Sequence, residues 1–239
     1  MKIKPNSWLL TKPIAHRGLW GDGIIENSIP AYQNAVDNGY PIEIDLHLST
    51  DGVLFSFHDN NLKRMTGVDK SIHDLSSAEI KALRLSGSEQ QIPTFDEVLD
   101  TVDGKVPLLI EIKNQRNKSV VDKTVERLKS YKGEFAIQSF NPFFINRVKK
   151  LAPDFIRGVL ASELKHTKSF INNFVINHMP INWICKPDFI SYSHTGLPLK
   201  KRVVKNRPVL AWTITDSESA KKALQFADNI IFEKFIPEK

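Results

Sequence analysis

Four hydrophobic runs in this chain end in ionisable residues. Ala15-His16-Arg17-Gly18 leaves the first, and Ile42-Glu43-Ile44-Asp45 alternates two carboxylates with isoleucines. Phe55-Ser56-Phe57-His58-Asp59 closes a third, and Leu108-Leu109-Ile110-Glu111-Ile112-Lys113 sets an acid and a base two residues apart. A period of two puts Glu43 and Asp45 on one face of a strand, with Ile42, Ile44 and Leu46 on the other. Taken singly, each cluster has an ordinary reading: an exposed edge strand, a core histidine, a cap-and-turn pair, a surface ion pair. Taken together, those readings need ionisable groups at four matching strand ends by accident. Gathered at one mouth, Glu43, Asp45 and Glu111 offer hard oxygen ligands to Mg²⁺ or Ca²⁺. His16 and His58 titrate where proton transfer near neutral pH works well, and Arg17 and Lys113 bring fixed positive charge for a phosphate. The set fits phosphoryl transfer on a diester, with charge withdrawn at a metal, one histidine deprotonating the nucleophile and the other protonating the leaving alkoxide.

Elements that would position these groups follow from the hydrophobic pattern. Strand-like runs are expected at Pro13–His16, Ile42–Leu48, Val53–Phe57, Pro107–Lys113, Glu134–Phe140, Ile156–Leu160, Asp188–Tyr192, Val209–Ile214 and Asn229–Phe232. Helical stretches are expected between many of them, at Ile29–Asn38, Ala78–Leu83, Asp96–Val102, Ser119–Tyr131, Pro142–Leu151 and Ser217–Phe226. Asn27-Ser28 offers a helix cap, and Thr94-Phe95-Asp96-Glu97 reads as a capping box. This alternation predicts a parallel sheet covered by helices. About eight strands in a chain of this length suit a (β/α)8 barrel, whose sites gather at the C-terminal strand ends. Leu46–Gly52 is too short for a crossover helix. Either Thr50-Asp51-Gly52 closes a β-hairpin, or seven extended residues return the chain ~23 Å to the other end of the barrel. The second reading keeps Asp45 and His58 at one rim and gives an irregular barrel missing a helix. Residues 59–105 exceed one loop and read as an insertion packed on a single barrel domain spanning 1–239. No internal repeat or low-complexity tract interrupts the chain.

Composition bounds the possibilities. Thirty-three Lys+Arg against 27 Asp+Glu give +6 in 239 residues, 41% of them hydrophobic and 25% charged. These proportions exclude disorder, collagen and coiled coil. No apolar run approaches the ~18–20 residues of a membrane span. The opening stretch holds only Trp8-Leu9-Leu10 as an apolar run, too short for a signal peptide. The one cysteine, Cys185, excludes an internal disulfide and a thiolate metal cluster. The expectation is a soluble cytoplasmic protein without stable membrane insertion. The densest basic patch, Lys200, Lys201, Arg202, Lys205 and Arg207, lacks interleaved aromatics and reads as a solvated face, not a nucleic-acid surface. The mild positive charge suits an anionic small substrate.

In order and spacing, His16-Arg17-Gly18, Glu26-Asn27-Ser28, Glu43-x-Asp45, Asp51-Gly52 and His58-Asp59 resemble the glycerophosphodiester phosphodiesterase family. The likeness continues through Leu62-x-Arg64-x-Thr66-Gly67, Ile92-Pro93-Thr94, Glu111-Ile112-Lys113, Ser139-Phe140 and Trp212-Thr213, and so covers nearly the whole chain. Each piece is weak alone; the combination is highly specific. The resemblance implies a TIM barrel of the phospholipase-C-like phosphodiesterase type, with a small insertion after the third strand. It implies hydrolysis of a glycerophosphodiester to glycerol 3-phosphate and an alcohol. His16 and His58 fall on the family's acid/base pair, and Glu43, Asp45 and Glu111 on its ligands for a divalent cation. Arg17 and Lys113 match phosphate-facing positions, and Glu26 and Trp212 join them as candidate substrate-binding residues, with Trp212 against the glycerol carbons. In related enzymes a glycerol hydroxyl can attack phosphorus first, giving a cyclic phosphate that water then opens.

Departures from the family pattern fall mainly at the far end. Ser28 stands where Thr is commoner, and both cap. Thr215 replaces Asn after Trp212, and Asn229-Ile230-Ile231-Phe232-Glu233 replaces the usual GIITD, making the last strand's rim bulkier. These changes bear on substrate identity. His47 reads as a loop or outer-face histidine, although alternation also allows it on the metal face. His73, His166, His178 and His194 match no motif. Two alternatives stay open: a phospholipase- or lysophospholipase-D-like diesterase acting on lipid, and a non-catalytic phosphodiester-binding protein.

Overall fold

The computed structural model describes residues 3–163 and 182–237; His166 and His178 lie outside the described residues. Among the described residues nine strands form, β1 (Ile14–His16), β2 (Ile42–Leu48), β3 (Leu54–Ser56), β4 (Leu108–Ile112), β5 (Phe135–Ser139), β6 (Arg157–Ala161), β7 (Phe189–Ser193), β8 (Val209–Ile214) and β9 (Asn229–Phe232). Each falls within a residue or two of the run expected for it. The helices are α1 (Trp8–Thr11), α2 (Ile29–Asp37), α3 (Lys63–Thr66), α4 (Ser77–Ala82), α5 (Phe95–Val102), α6 (Ser119–Lys129), α7 (Pro142–Leu151), α8 (Asn182–Cys185), α9 (Lys201–Val204) and α10 (Ser217–Ala223). The chain forms two compact units, residues 15–135 and residues 1–14 with 136–239.

In the first unit, β2 is the organising strand. It pairs in parallel with β1, His16 opposite Glu43, and with β4, Asp45 opposite Glu111. All seven of its residues are buried, which removes the exposed-edge reading of Glu43 and Asp45. Its last three residues pair antiparallel with β3, Leu48 opposite Leu54. The hairpin reading of 46–52 is therefore the one that forms. Its turn is closed by Gly52 N–H to Ser49 O at 3.1 Å, with Gly52 at φ 84°. The hairpin also brings Asp45 and His58 together, which was expected only of the long return: β3 runs back along β2 until Phe57 N–H donates to Asp45 O at 3.0 Å.

Residues 59–105 carry α3, α4 and α5. Leu62, Met65, Ile72, Leu75, Ile80, Leu85 and Ile92 pack with Phe55 and Phe57 of the β3 segment into one apolar cluster. The capping box read at Thr94 is present, Thr94 accepting from Glu97 N–H while the Glu97 carboxylate accepts from Thr94 N–H. α4 has a second one, Ser76 with Glu79.

The second unit holds β5 to β9, parallel neighbours in sequence order. Asn229, at the position where the family pattern has Gly, is buried and donates from Nδ2 to Leu9 O (3.0 Å) and Lys12 O (2.7 Å), tying α1 to the start of β9. The basic patch flanks and forms α9, where Lys200, Lys201, Arg202 and Lys205 are exposed and Val203 is buried.

Candidate active site

The carboxylate cluster follows directly from strand register. Because Asp45 sits opposite Glu111 and the pleat repeats every two residues, Glu43, Asp45 and Glu111 converge. One oxygen from each lies within 4.8 Å of the others, and all three residues are buried. Burial first, then repulsion by its acidic neighbours, pushes the Glu43 carboxyl well above its usual range. Glu111 is pushed up to about 7 by burial, against the pull of Lys113. Asp45 stays below its usual range despite burial, because Lys113, His58 and Arg17 face it. Lys113 Nζ lies 2.9 Å from Glu111 Oε1 and 3.2 Å from Asp45 Oδ1. Three buried acids whose oxygens converge form a donor set of hard oxygens, which fits Mg²⁺ or Ca²⁺.

Around this cluster stand the two histidines. His16 Nε2 is 4.0 Å from Glu43 Oε2, and the His16 carbonyl accepts from Trp20 Nε1 at 2.9 Å. His58 Nδ1 is 2.6 Å from Asp59 Oδ1. The Asp59 carboxyl, despite partial burial, is held below its usual range by hydrogen bonds from Arg64 and His58. It is therefore ionised and only accepts, so the proton sits on His58 Nδ1. Burial also lowers the His58 imidazolium below its ordinary value, Asp45 opposing. A neutral ring with Nδ1 protonated leaves the Nε2 lone pair available to take up a proton.

Arg17 adopts φ 60° directly before Gly18. Its backbone N–H donates to Glu43 Oε2 at 3.2 Å, and its Nη1 donates to Glu26 Oε1 at 2.8 Å. Glu26 also accepts from Arg64 Nη2 at 2.6 Å. The Glu26 carboxyl is thus engaged by two arginines, an arrangement that orients Arg17. Trp212 belongs to the other unit, edge-on to Phe140 with ring centroids 5.6 Å apart. Its buried Nε1–H has no acceptor among the described residues.

Several functional-looking contacts are not apparent from sequence. Ser28 is the cap of α2, accepting from Ala31 N–H, whereas Asn27, at φ 50°, donates from Nδ2 to Asp45 Oδ2 at 3.0 Å. Tyr32 OH donates to Asn27 Oδ1 at 2.8 Å and lies 2.6 Å from Ser56 Oγ. His47 is fully buried in β2, not in a loop or on an outer face. Its Nδ1 is 2.7 Å from His73 Nε2, and its Nε2 is 3.2 Å from the His58 carbonyl, to which it can only donate. Burial, with His73 beside it, lowers the His47 ring to about 3. The alternation along Glu43, Asp45 and His47 was the available signal; its partners come from residues 11 and 26 positions later.

Residues 16–232 match the glycerophosphoryl diester phosphodiesterase family, and the chain belongs to that family. It is 34% identical over 164 residues to a glycerophosphodiester phosphodiesterase of Caldanaerobacter subterraneus, covering 63% of this chain and 66% of that protein. It is 34% identical over 138 residues to lysophospholipase D GDPD1 of Homo sapiens, covering 52% of this chain and 43% of that one. The match thus spans less than half the length of that relative. Among solved structures, a phosphodiesterase of Oleispira antarctica in complex with the product sn-glycerol-3-phosphate superposes with a TM-score of 0.78 at 25% identity, over 94% of this chain and 93% of that one. A glycerophosphodiester phosphodiesterase of Thermotoga maritima gives 0.71 at 25% identity, over 92% of each chain. The fold is the TIM barrel of these proteins, eight parallel strands closed on one another with β3 outside.

Proposed function

We propose that the protein hydrolyses glycerophosphodiesters to glycerol 3-phosphate and an alcohol, and that the whole chain acts as one barrel domain. The observation that carries this reading is the buried Glu43, Asp45 and Glu111 cluster with His16 and His58 beside it. Family membership and the product bound to the Oleispira antarctica neighbour support it.

Glu43, Asp45 and Glu111 would hold a divalent cation, Mg²⁺ or Ca²⁺, which when bound draws negative charge from the phosphate oxygens. Arg17 and Lys113 offset more of that charge; Trp212, whose buried N–H has no acceptor among the described residues, stays a candidate substrate-binding residue. Glu26 acts by holding Arg17. In hydrolysis an oxygen nucleophile forms a bond to phosphorus while the bond to the alcohol oxygen breaks. One histidine takes the nucleophile's proton and the other gives a proton to the departing alkoxide. Where the nucleophile is a glycerol hydroxyl, a cyclic phosphate forms first and the roles exchange as water opens it. His58 suits the first proton removal, because Asp59 fixes Nδ1–H and leaves Nε2 to accept.

A second reading, cleavage of lysophospholipids, is favoured by the similarity to lysophospholipase D GDPD1. Among the described residues no helix is long and apolar enough to cross a membrane. A cytoplasmic setting fits a chain with a single cysteine, which can form no internal disulfide. The test is release of glycerol 3-phosphate from a panel of soluble glycerophosphodiesters, with EDTA and then with metal add-back. Chelator-sensitive turnover restored by one cation is expected. Turnover of lysophosphatidylcholine alone would favour the second reading, and turnover of neither would leave a binding protein.

A further inference from the structure

We propose that Arg64 is a positioning residue that sets the phosphate-facing Arg17 and the proton-transferring His58 at once, through one carboxylate each. The idea rests on the reading of those two groups given above, but its geometry is independent of it. Arg64 Nη2 donates to Glu26 Oε1 at 2.6 Å, and Glu26 Oε1 also accepts from Arg17 Nη1 at 2.8 Å. Arg64 Nε donates to Asp59 Oδ2 at 2.6 Å, while Asp59 Oδ1 faces His58 Nδ1 at 2.6 Å. The result is one chain of charge, Arg17 to Glu26 to Arg64 to Asp59 to His58.

Arginine suits the central place because its donors are fixed in one plane and reach two carboxylates simultaneously, which a lysine ammonium on a flexible stem does poorly. Arg64 is held at the right height by its neighbours. Leu62 and Met65 are buried in the apolar cluster of the insertion, and α3 ends at Gly67, whose φ of 77° suits a left-handed cap. The small core of the insertion thereby delivers one guanidinium to the site. Arg64 itself is about half exposed, with a side-chain accessibility of 47%. It is not part of the apolar cluster itself, so a large effect of replacing it would not come from a damaged core.

The test compares the parent with Arg64→Ala, Arg64→Lys, Glu26→Gln and Asp59→Asn, with Lys63→Ala as a control on the same helix turn. Lys63 pairs with the exposed Asp69 and touches neither catalytic group. Long-range ¹H–¹⁵N NMR reads the His58 tautomer without any turnover. The expected result is an Nδ1–H ring in the parent and a growing Nε2–H form in Arg64→Ala and Asp59→Asn, but not in Glu26→Gln. In steady state, Asp59→Asn should lower kcat, Glu26→Gln should raise KM, and Arg64→Ala should do both. The Arg64→Ala loss in kcat/KM is expected on the order of 10- to 100-fold, with Arg64→Lys between it and the parent. An unchanged His58 tautomer in Arg64→Ala, or kinetics within twofold of the parent, would overturn the proposal. Should Arg64→Ala not fold, the split between Glu26→Gln and Asp59→Asn decides, and both moving the same parameter counts against it. A parent inactive on every glycerophosphodiester would sink the functional reading, while the tautomer would still judge the clamp.

Discussion

At His58 the contact with Asp59 sets the tautomer, because an ionised carboxylate on Nδ1 keeps the proton there and leaves Nε2 as an acceptor. His58→Ala and His16→Ala should each lower kcat by roughly 10²- to 10⁴-fold, the range that general acid/base groups contribute. Neither side chain is deeply buried, at 33% and 14% exposure, so far-UV circular dichroism and Tm should change little. Turnover near the parental rate in both variants would remove the histidines from the mechanism. Asn27 acts one step further out, since its amide donates to Asp45 and its carbonyl accepts from Tyr32. Asn27→Gly keeps the left-handed backbone at φ 50° and removes the side chain, both the donor to Asp45 and the acceptor for Tyr32. It should weaken Mg²⁺ or Ca²⁺ binding by about 10- to 100-fold, the usual cost of losing a group that orients a metal ligand. Isothermal titration with each ion reads this directly, and parental affinity would make Asn27 a purely structural residue.

Among the elements, the turn from β1 into α2 is the most tightly constrained. Gly18 has φ 85°, and a Cβ there would lie 2.8 Å from Ala31 Cβ and 2.9 Å from Ala31 C. Gly18→Ala should therefore cost about 1–3 kcal/mol from backbone strain and overlap, read as a lower urea midpoint. It should also displace Arg17 and raise KM, and a variant as stable as the parent would show that the turn yields. Thr94→Ala removes one half of the α5 capping box and should cost about 1 kcal/mol in the same assay. The capping box, the strand runs and the acidic alternation of β2 were legible because each is set by residues close in sequence. The hairpin was legible only as one of two options, because Leu46–Gly52 fits either a turn or a long return until β3 finds its partner. Asn27 reads as a cap, and only the left-handed turn reveals that it points at Asp45. Arg64 was legible only as part of a motif and His47 only by its alternation with Asp45; the Arg64–Glu26 and His47–His73 contacts were not, for the same reason. Their partners stand 38 and 26 residues away, and tertiary packing alone selects them.

For the molecule as a whole, the acidic cluster couples stability to pH, and a cation bound there would shift that coupling. Folding raises the Glu43 and Glu111 carboxyls above their usual values, Glu111 to about 7 from 4.5. A group raised on folding gives its full stabilisation below its unfolded value and loses it as pH climbs through its folded value. The metal-free protein should therefore lose stability from these two acids between about pH 4.5 and pH 7 and beyond. Asp45 moves the other way, but its window lies below its usual value of 3.8 and leaves this range untouched. A divalent cation held by this cluster would bind the ionised acids, so its affinity should rise with pH and its binding should release protons. The Tm gain on adding saturating Mg²⁺ or Ca²⁺ should accordingly be larger at about pH 8 than at about pH 5.5. At a hundredfold excess over Kd the stabilisation at the higher pH is about 2.7 kcal/mol. Calorimetry in two buffers of different ionisation enthalpy should detect the released protons. Glu111→Gln should flatten the pH dependence of the metal-free Tm and weaken the metal's effect together. Equal Tm gains at both pH values would mean that the three carboxylates do not form the cation site.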